Sequence, residues 1–280
     1  MRDDINESNY DFLHGAIGAG LYFNKKGNED ITNELIDYLD QTADKNLTSH
    51  IYRWKSIIDH QKKEKVYNIS LSHGCSSIAL FLSRIISQQK NNIDNKKCID
   101  LLKGCIKFIL SQKFEDKGKL SIFPSVSLSE SAASSRLAWC YGDLGIGYAI
   151  YYAGKTLFND DWIRKGIDII KNTIGRKTKE TTFIYDAGIC HGSSGVAMIY
   201  YKMFIETKEP EFLEASKFWI DQTLKLAIHK DGIAGFKTYY ANSQTFTNDY
   251  SLLTGVSGIG LMLLSYLMED EMDWCDIFLL

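Results

Sequence analysis

Proline is almost absent from this chain: Pro124 and Pro210 are the two in 280 residues. Helices therefore meet few breakers, and strand-type alternation of apolar and polar residues is weak throughout, so an all-β architecture is excluded. Basic surplus is lacking too, with 32 Lys and Arg against 35 Asp and Glu. Nothing in that balance drives general nucleic-acid binding. No uninterrupted apolar run is long enough to span a membrane, and the opening MRDDINESNYDFL has no apolar core of the kind a signal peptide needs. The expected location is the cytoplasm. The six cysteines (Cys75, Cys98, Cys105, Cys140, Cys190 and Cys275) are then expected to be reduced. Hydrophobic residues at 45% and charged residues at 24% fit a soluble globular protein.

An internal repeat is present. FLHGAIGAGLYF (12–23), LSHGCSSIALFL (71–82), WCYGDLGIGYAIYY (139–152), ICHGSSGVAMIYY (189–201) and LLTGVSGIGLMLL (252–264) share a glycine, usually a second glycine three residues later, and then an apolar run. The first glycines stand at Gly15, Gly74, Gly142, Gly192 and Gly255, leaving room for two helices per repeat. The runs after the glycines are apolar nearly all round, which suits helices buried on every side. Between them, WIRKGIDIIKNTI (162–174) places Ile163, Ile167, Ile170 and Ile174 at helical spacing. KCIDLLKGCIKFIL (97–110) does the same with Cys98, Leu101, Leu102, Cys105 and Ile109, so both of its cysteines read as small core residues. A buried inner helix alternating with an amphipathic outer one predicts an all-α fold, an α/α toroid of repeated helical hairpins, forming one domain over residues 1–280.

The repeats differ in the polar residues they carry. The first has Asp11, the second His73, the third Arg136, Cys140 and Tyr141, and the fourth Cys190 and His191. The fifth has Thr254, which reads as structural. In a ring, every inner-helix start opens onto the same end of the central cavity, so these residues are expected to converge. Cys140, Cys190 and His191 make a Cys2His set of the kind zinc favours, and three protein ligands leave a fourth position open for catalysis. Taken alone, a Cys-His pair is a weak metal signal. The Ser-rich FPSVSLSESAASS (123–135) reads as a loop leading to Arg136.

Four stretches together, SRLAWCYGDLG (135–145), GICHGSSG (188–195), NISLSHG (68–74) and YSLLTGVSGIG (250–260), resemble the lanthionine synthetase C family, the lantibiotic cyclases, and the resemblance runs over nearly the whole chain. It implies an α/α toroid with a catalytic zinc on its cavity side, held by Cys140, Cys190 and His191. It also implies that His73 is the active-site histidine, that Arg136 and Tyr141 are further active-site positions, and that Asp11 is an acidic one. The implied reaction adds a cysteine thiol of a dehydrated precursor peptide to dehydroalanine or dehydrobutyrine, giving lanthionine or methyllanthionine. A dehydratase acting upstream is the implied partner, and membrane association through a biosynthetic complex goes with it.

Within that reading, His73 transfers a proton as acid or base and Arg136 steadies an enolate oxygen. Asp11 either orients His73 or caps the following helix, Arg136 has a surface ion pair as its bland alternative, and Tyr141 has cavity wall. His14, His50, His60 and His229 read as solvated or packed. Two other functions share these residues: a zinc enzyme adding glutathione to a modified protein, and an inactive peptide-binding protein on the same fold. The family ring has seven hairpins and five glycine motifs are visible here, so the first two hairpins are expected to be missing. A second copy, another polypeptide or an N-terminal segment is then expected to close the ring, because the terminal helices would otherwise expose apolar flanks.

Overall fold

The computed structural model describes residues 1–59, 64–89, 92–130, 133–269 and 272–280. These fall into two compact units. The first, residues 1–135 and 145–169, holds α1 (Arg2–Asn6), α2 (Ala16–Lys25), α3 (Glu29–Thr42), α4 (Cys75–Ser87), α5 (Asn95–Ser111) and most of α6 (Asp143–Leu157) and α7 (Asp160–Asn172). The second, residues 136–144 and 170–280, holds α8 (Lys179–Thr182), α9 (Ser193–Thr207), α10 (Pro210–Lys225), α11 (Val256–Met268) and a terminal 3₁₀ helix, Asp273–Phe278.

The expected alternation is present within each unit. Inner helices begin directly after the repeat glycines, and α2 pairs with α3, α4 with α5, and α9 with α10. The outer helices carry ordinary start signals. The Asn28 side chain accepts from Ile31 N, that of Asp94 accepts from Lys97 N, and Pro210 occupies the first turn of α10. Helix α5 buries Cys98, Leu101, Leu102, Cys105 and Ile109, so its two cysteines are core residues as expected. Helices α4 and α9 are buried nearly all round. Helices α2 and α11 are not, which corrects the reading of every inner helix as enclosed: Tyr22 on α2 and Leu264, Leu267 and Met268 on α11 are exposed.

Three short antiparallel hairpins interrupt the helical plan. Strands β1 (Asp44–Asn46) and β2 (Ile51–Arg53) pair, as do β3 (Lys55–Asp59) and β4 (Glu64–Tyr67), and β5 (Thr238–Tyr240) with β6 (Thr245–Thr247). With three to five residues each, they are too short to show alternation in the sequence. No sheet of more than two strands occurs among the described residues.

A common turn leads into four of the inner helices. Six residues before the repeat glycine stands Asn9, Asn68, Asp186 or Asp249. Its side-chain Oδ1 accepts from the backbone N–H two residues on, in Asp11, Ser70, Gly188 and Ser251 respectively. Its carbonyl accepts from the first helical N–H, in Ala16, Cys75, Ser193 and Val256. This closure brings the chain so near itself that a Cβ on Gly15, Gly74 or Gly255 would strike that carbonyl. The second glycine meets a parallel constraint, because a Cβ on Gly195 would run into the carbonyl oxygen of Ile189.

Helix propensity favours alanine over glycine by about 0.8–1 kcal/mol, so only a steric clash can reverse the sign of such a substitution. Gly260, inside α11, has open space around it. Gly260→Ala is therefore expected to stabilise the chain by about 0.5–1 kcal/mol, while Gly195→Ala, against backbone that cannot yield, is expected to cost about 2–4 kcal/mol. Urea unfolding of the two variants beside the wild type measures both.

Candidate metal centre

The second unit brings together the loops of three repeats. Cys140 N–H donates to Cys190 C=O at 3.2 Å, and Cys190 N–H donates to Leu253 C=O at 2.9 Å. Each of these residues lies two positions before its repeat glycine, so equivalent points of successive turns are stitched in series. Gly188 permits this closeness, since a Cβ there would lie 2.6 Å from Thr254 O. Thr254 itself is structural as expected: its Oγ1 donates to Asp249 Oδ2 at 2.6 Å and its carbonyl accepts from Thr238 Oγ1 at 2.7 Å.

The result is that ligand-type atoms of Cys140, Cys190 and His191 all lie within 4.8 Å of one another. A tetrahedral zinc with sulfur at about 2.3 Å and nitrogen at about 2.0–2.1 Å needs ligand atoms separated by about 3.5–3.8 Å. Small side-chain adjustments close that difference, and two thiolates with one imidazole are a donor set zinc accepts. The three residues can hold a metal ion. Cys140 is buried, whereas Cys190 and His191 are half-buried, so the cluster is closed on the side of the core and reachable on the other.

The electrostatics of the group favour one thiolate. The hydrogen bond from the Cys190 thiol, helped by His191 and the Arg136 charge, holds the Cys140 thiol down to about 5 against the cost of burial. The same shared proton pushes the Cys190 thiol up, with burial acting in the same direction. The hydrogen bond to Cys140 likewise raises His191 above its ordinary value, in spite of burial. Arg136 is half-buried and its charge acts on all three residues. Among the described residues it makes no ion pair with a carboxylate, contrary to its bland alternative. Tyr141, directly after Cys140, is half-buried.

Asp11 and His73 lie together in the first unit. Asp11 is buried to 1% exposure, and its Oδ2 sits 2.7 Å from His73 Nδ1. Its other oxygen accepts from Leu13 N at 2.7 Å and His14 N at 2.8 Å. Of the two alternatives for Asp11, the contact with His73 is present and the helix cap is not: its other oxygen closes the turn before the helix, and Gly15 takes the helix N-cap. His14, read from the sequence as solvated or packed, is exposed and stacks on His73 with ring centroids 5.7 Å apart. His50 is exposed, His229 packs on Phe246 at 4.7 Å, and His60 lies outside the described residues. The 123–135 loop leaves 131–132 outside them as well, and an isolated bridge joins Pro124 to Ser134. All six cysteines are free, and no helix among the described residues is long and apolar enough to cross a membrane.

One residue escaped the sequence reading. Asp186 is 4% exposed, and its Oδ2 lies 3.9 Å from His191 Nε2. The signal that would have found it is the turn position six residues before the glycine. The same comparison marks Arg136, which occupies that position in the third repeat where the others have Asn or Asp. The third turn is built differently, with Gly142 at φ +93°.

A family pattern described as "Lanthionine synthetase C-like protein" matches residues 1–279. Nisin biosynthesis protein NisC of Lactococcus lactis subsp. lactis is 25% identical over 226 residues, covering 74% of this chain and 52% of that protein. The solved structure of nisin cyclase is similar with a TM-score of 0.73 and 21% identity, over 97% of this chain and 66% of that one. The likeness shows the fold to be the all-α toroid class expected from the repeats. The chain spans about half the length of NisC and about two thirds of the solved nisin cyclase.

Removing the Arg136 cation disfavours the neighbouring thiolate, so Arg136→Gln is expected to move the Cys140 midpoint upward from about 5. In metal-free protein, the ultraviolet absorbance of the thiolate should disappear on acidification through about pH 5 and be missing in Cys140→Ser at neutral pH. The titration midpoint of Arg136→Gln beside wild type measures the shift.

Proposed function

Because the chain belongs to the lanthionine synthetase C-like family, we propose that it is a zinc-dependent peptide cyclase. In this reading it joins a cysteine thiol to dehydroalanine or dehydrobutyrine of one dehydrated precursor peptide and forms a lanthionine or methyllanthionine thioether. The observation that carries the reading is the convergence of Cys140, Cys190 and His191 from two repeats, half-open to solvent. Bound there, zinc supplies deprotonation of the incoming thiol and holds its sulfur as a nucleophile.

The remaining chemistry falls to side chains. The S–C bond forms at the β-carbon of the dehydro residue, electrons move onto its carbonyl oxygen, and the α-carbon then takes a proton. Arg136, with its fixed cationic fork, is the group for the developing oxygen charge. His73 is the proton carrier, and the Asp11 contact supports that role. A buried carboxylate on Nδ1 fixes the tautomer and leaves Nε2 as the nitrogen that exchanges protons. Tyr141 lines the site beside Cys140.

The dehydro residues must come from a dehydratase acting on serine and threonine, and that enzyme is the proposed partner, with a cytoplasmic setting for both. Helices α2 and α11 expose Tyr22, Leu264, Leu267 and Met268. These are the flanks that a second copy or a further hairpin segment would cover. An enzyme that adds glutathione would use the same residues, so the two thiol donors are to be compared in one assay.

The test separates ligand from proton carrier. Cys140→Ala and Cys190→Ala are expected to lose zinc and cyclisation together. His73→Asn is expected to keep zinc, measured by metal analysis, while cyclisation of a dehydrated peptide, followed by mass spectrometry with thiol blocking, falls by about 10²–10⁴-fold. A His73→Asn protein without zinc would make His73 a ligand or a fold determinant, and full activity after metal removal would end the zinc reading.

A further inference from the structure

The fourth repeat differs from its neighbours in the charge at its turn. Asn9 and Asn68 occupy the corresponding position of the first two repeats, and each needs no more than one acceptor oxygen to close its turn. Asp186 closes its own turn with Oδ1, accepting from Gly188 N at 3.1 Å. Its second oxygen is therefore available for another purpose. Oδ2 accepts from Tyr239 N at 2.8 Å, on the β5–β6 hairpin, and also lies 3.9 Å from His191 Nε2. A carboxylate at 4% exposure is costly to bury unless its charge is met, and among the described residues the basic side chain within 4 Å of it is the imidazole of His191.

A histidine that gives one ring nitrogen to a metal has a donor N–H on the other, and that N–H needs an acceptor to fix the ring. We propose that Asp186 is a positioning residue for His191: its carboxylate receives the Nε2 proton, leaves Nδ1 for the metal, and ties the metal loop to the 238–247 hairpin. This rests on the zinc reading above. Closing the 3.9 Å separation takes a small rotation of the ring, or one water between the two groups. The fifth repeat provides the comparison within the same unit. Asp249 holds the same turn position, but its Oδ2 accepts from Thr254 Oγ1 at 2.6 Å and no histidine follows it.

Asp186→Asn is the discriminating variant, because asparagine is native at this position in two repeats and keeps the Gly188 bond while removing the charge and the acceptor for Tyr239 N. The Thr238→Val hairpin variant controls for the lost Tyr239 bond. Zinc affinity is read by competition with a chromophoric chelator, with no substrate present. Asp186→Asn is expected to weaken zinc by about 10–100-fold, with its far-ultraviolet circular dichroism unchanged. Asp249→Asn is expected to bind zinc as the wild type does. Thr238→Val, which loosens the hairpin by removing the bond to Thr254 O, is expected to do so as well. Wild-type zinc affinity in folded Asp186→Asn would overturn the proposal and leave Asp186 a turn residue alone. Should that variant fail to fold, hydrogen exchange of the wild-type Tyr239 amide decides instead: zinc is expected to slow it, and an unchanged rate would overturn the proposal. A wild-type chain that binds no zinc overturns the metal reading itself, and that failure shows in the wild-type titration before any variant is made.

Discussion

Two backbone hydrogen bonds set the metal-type cluster: Cys140 N–H to Cys190 C=O, and Cys190 N–H to Leu253 C=O. Without them, Cys140 and Cys190, fifty positions apart in the chain, have no reason to share a proton. The bonds require turns that approach as closely as bare backbone allows, which is why Gly188 lies against Thr254 O. In four of the five repeats a short polar side chain six residues before the glycine closes the loop locally before the helix begins. Chemistry is thus carried on the one part of each hairpin whose backbone is specified most tightly. Side chains there inherit the precision of the scaffold.

A repeated scaffold also makes deviation informative. Where four turns have Asn or Asp, the third has Arg136, and its cation lowers the cost of a buried thiolate at Cys140. In the first unit, Asp11 is an addition to a turn already closed by Asn9. It serves the loop with one oxygen and His73 with the other. Asp186 likewise uses both oxygens: one closes its own turn at Gly188 N and the other accepts from Tyr239 N, with His191 Nε2 3.9 Å away.

Much of this was legible in the sequence, for physical reasons. Helix starts at Ala16, Cys75, Asp143, Ser193 and Val256 follow from glycines that sterics demand, and the burial of Cys98 and Cys105 follows from helical periodicity. The grouping of Cys140 with Cys190 and His191 followed from equivalent placement in two repeats. The β hairpins at 44–67 and 238–247 were not legible, because strands of three to five residues carry no periodic signal. Asp186 was missed since its distinguishing bond reaches Tyr239, 53 residues away, and nothing local separates it from an ordinary turn residue. The exposure of α2 and α11 escaped for a related reason: an apolar run does not reveal whether anything covers it.

The proposed role of Cys140, Cys190 and His191 is to hold a zinc ion with one position open to a substrate thiol. X-ray absorption at the zinc edge, on the zinc-loaded chain before and after addition of a cysteine-containing dehydrated peptide, tests it most directly. The expected coordination is two sulfurs and two lighter donors, Cys140, Cys190, His191 and a solvent oxygen, gaining a third sulfur and losing an oxygen when the peptide binds. A four-sulfur shell at the outset, or a shell unchanged by peptide, would contradict it.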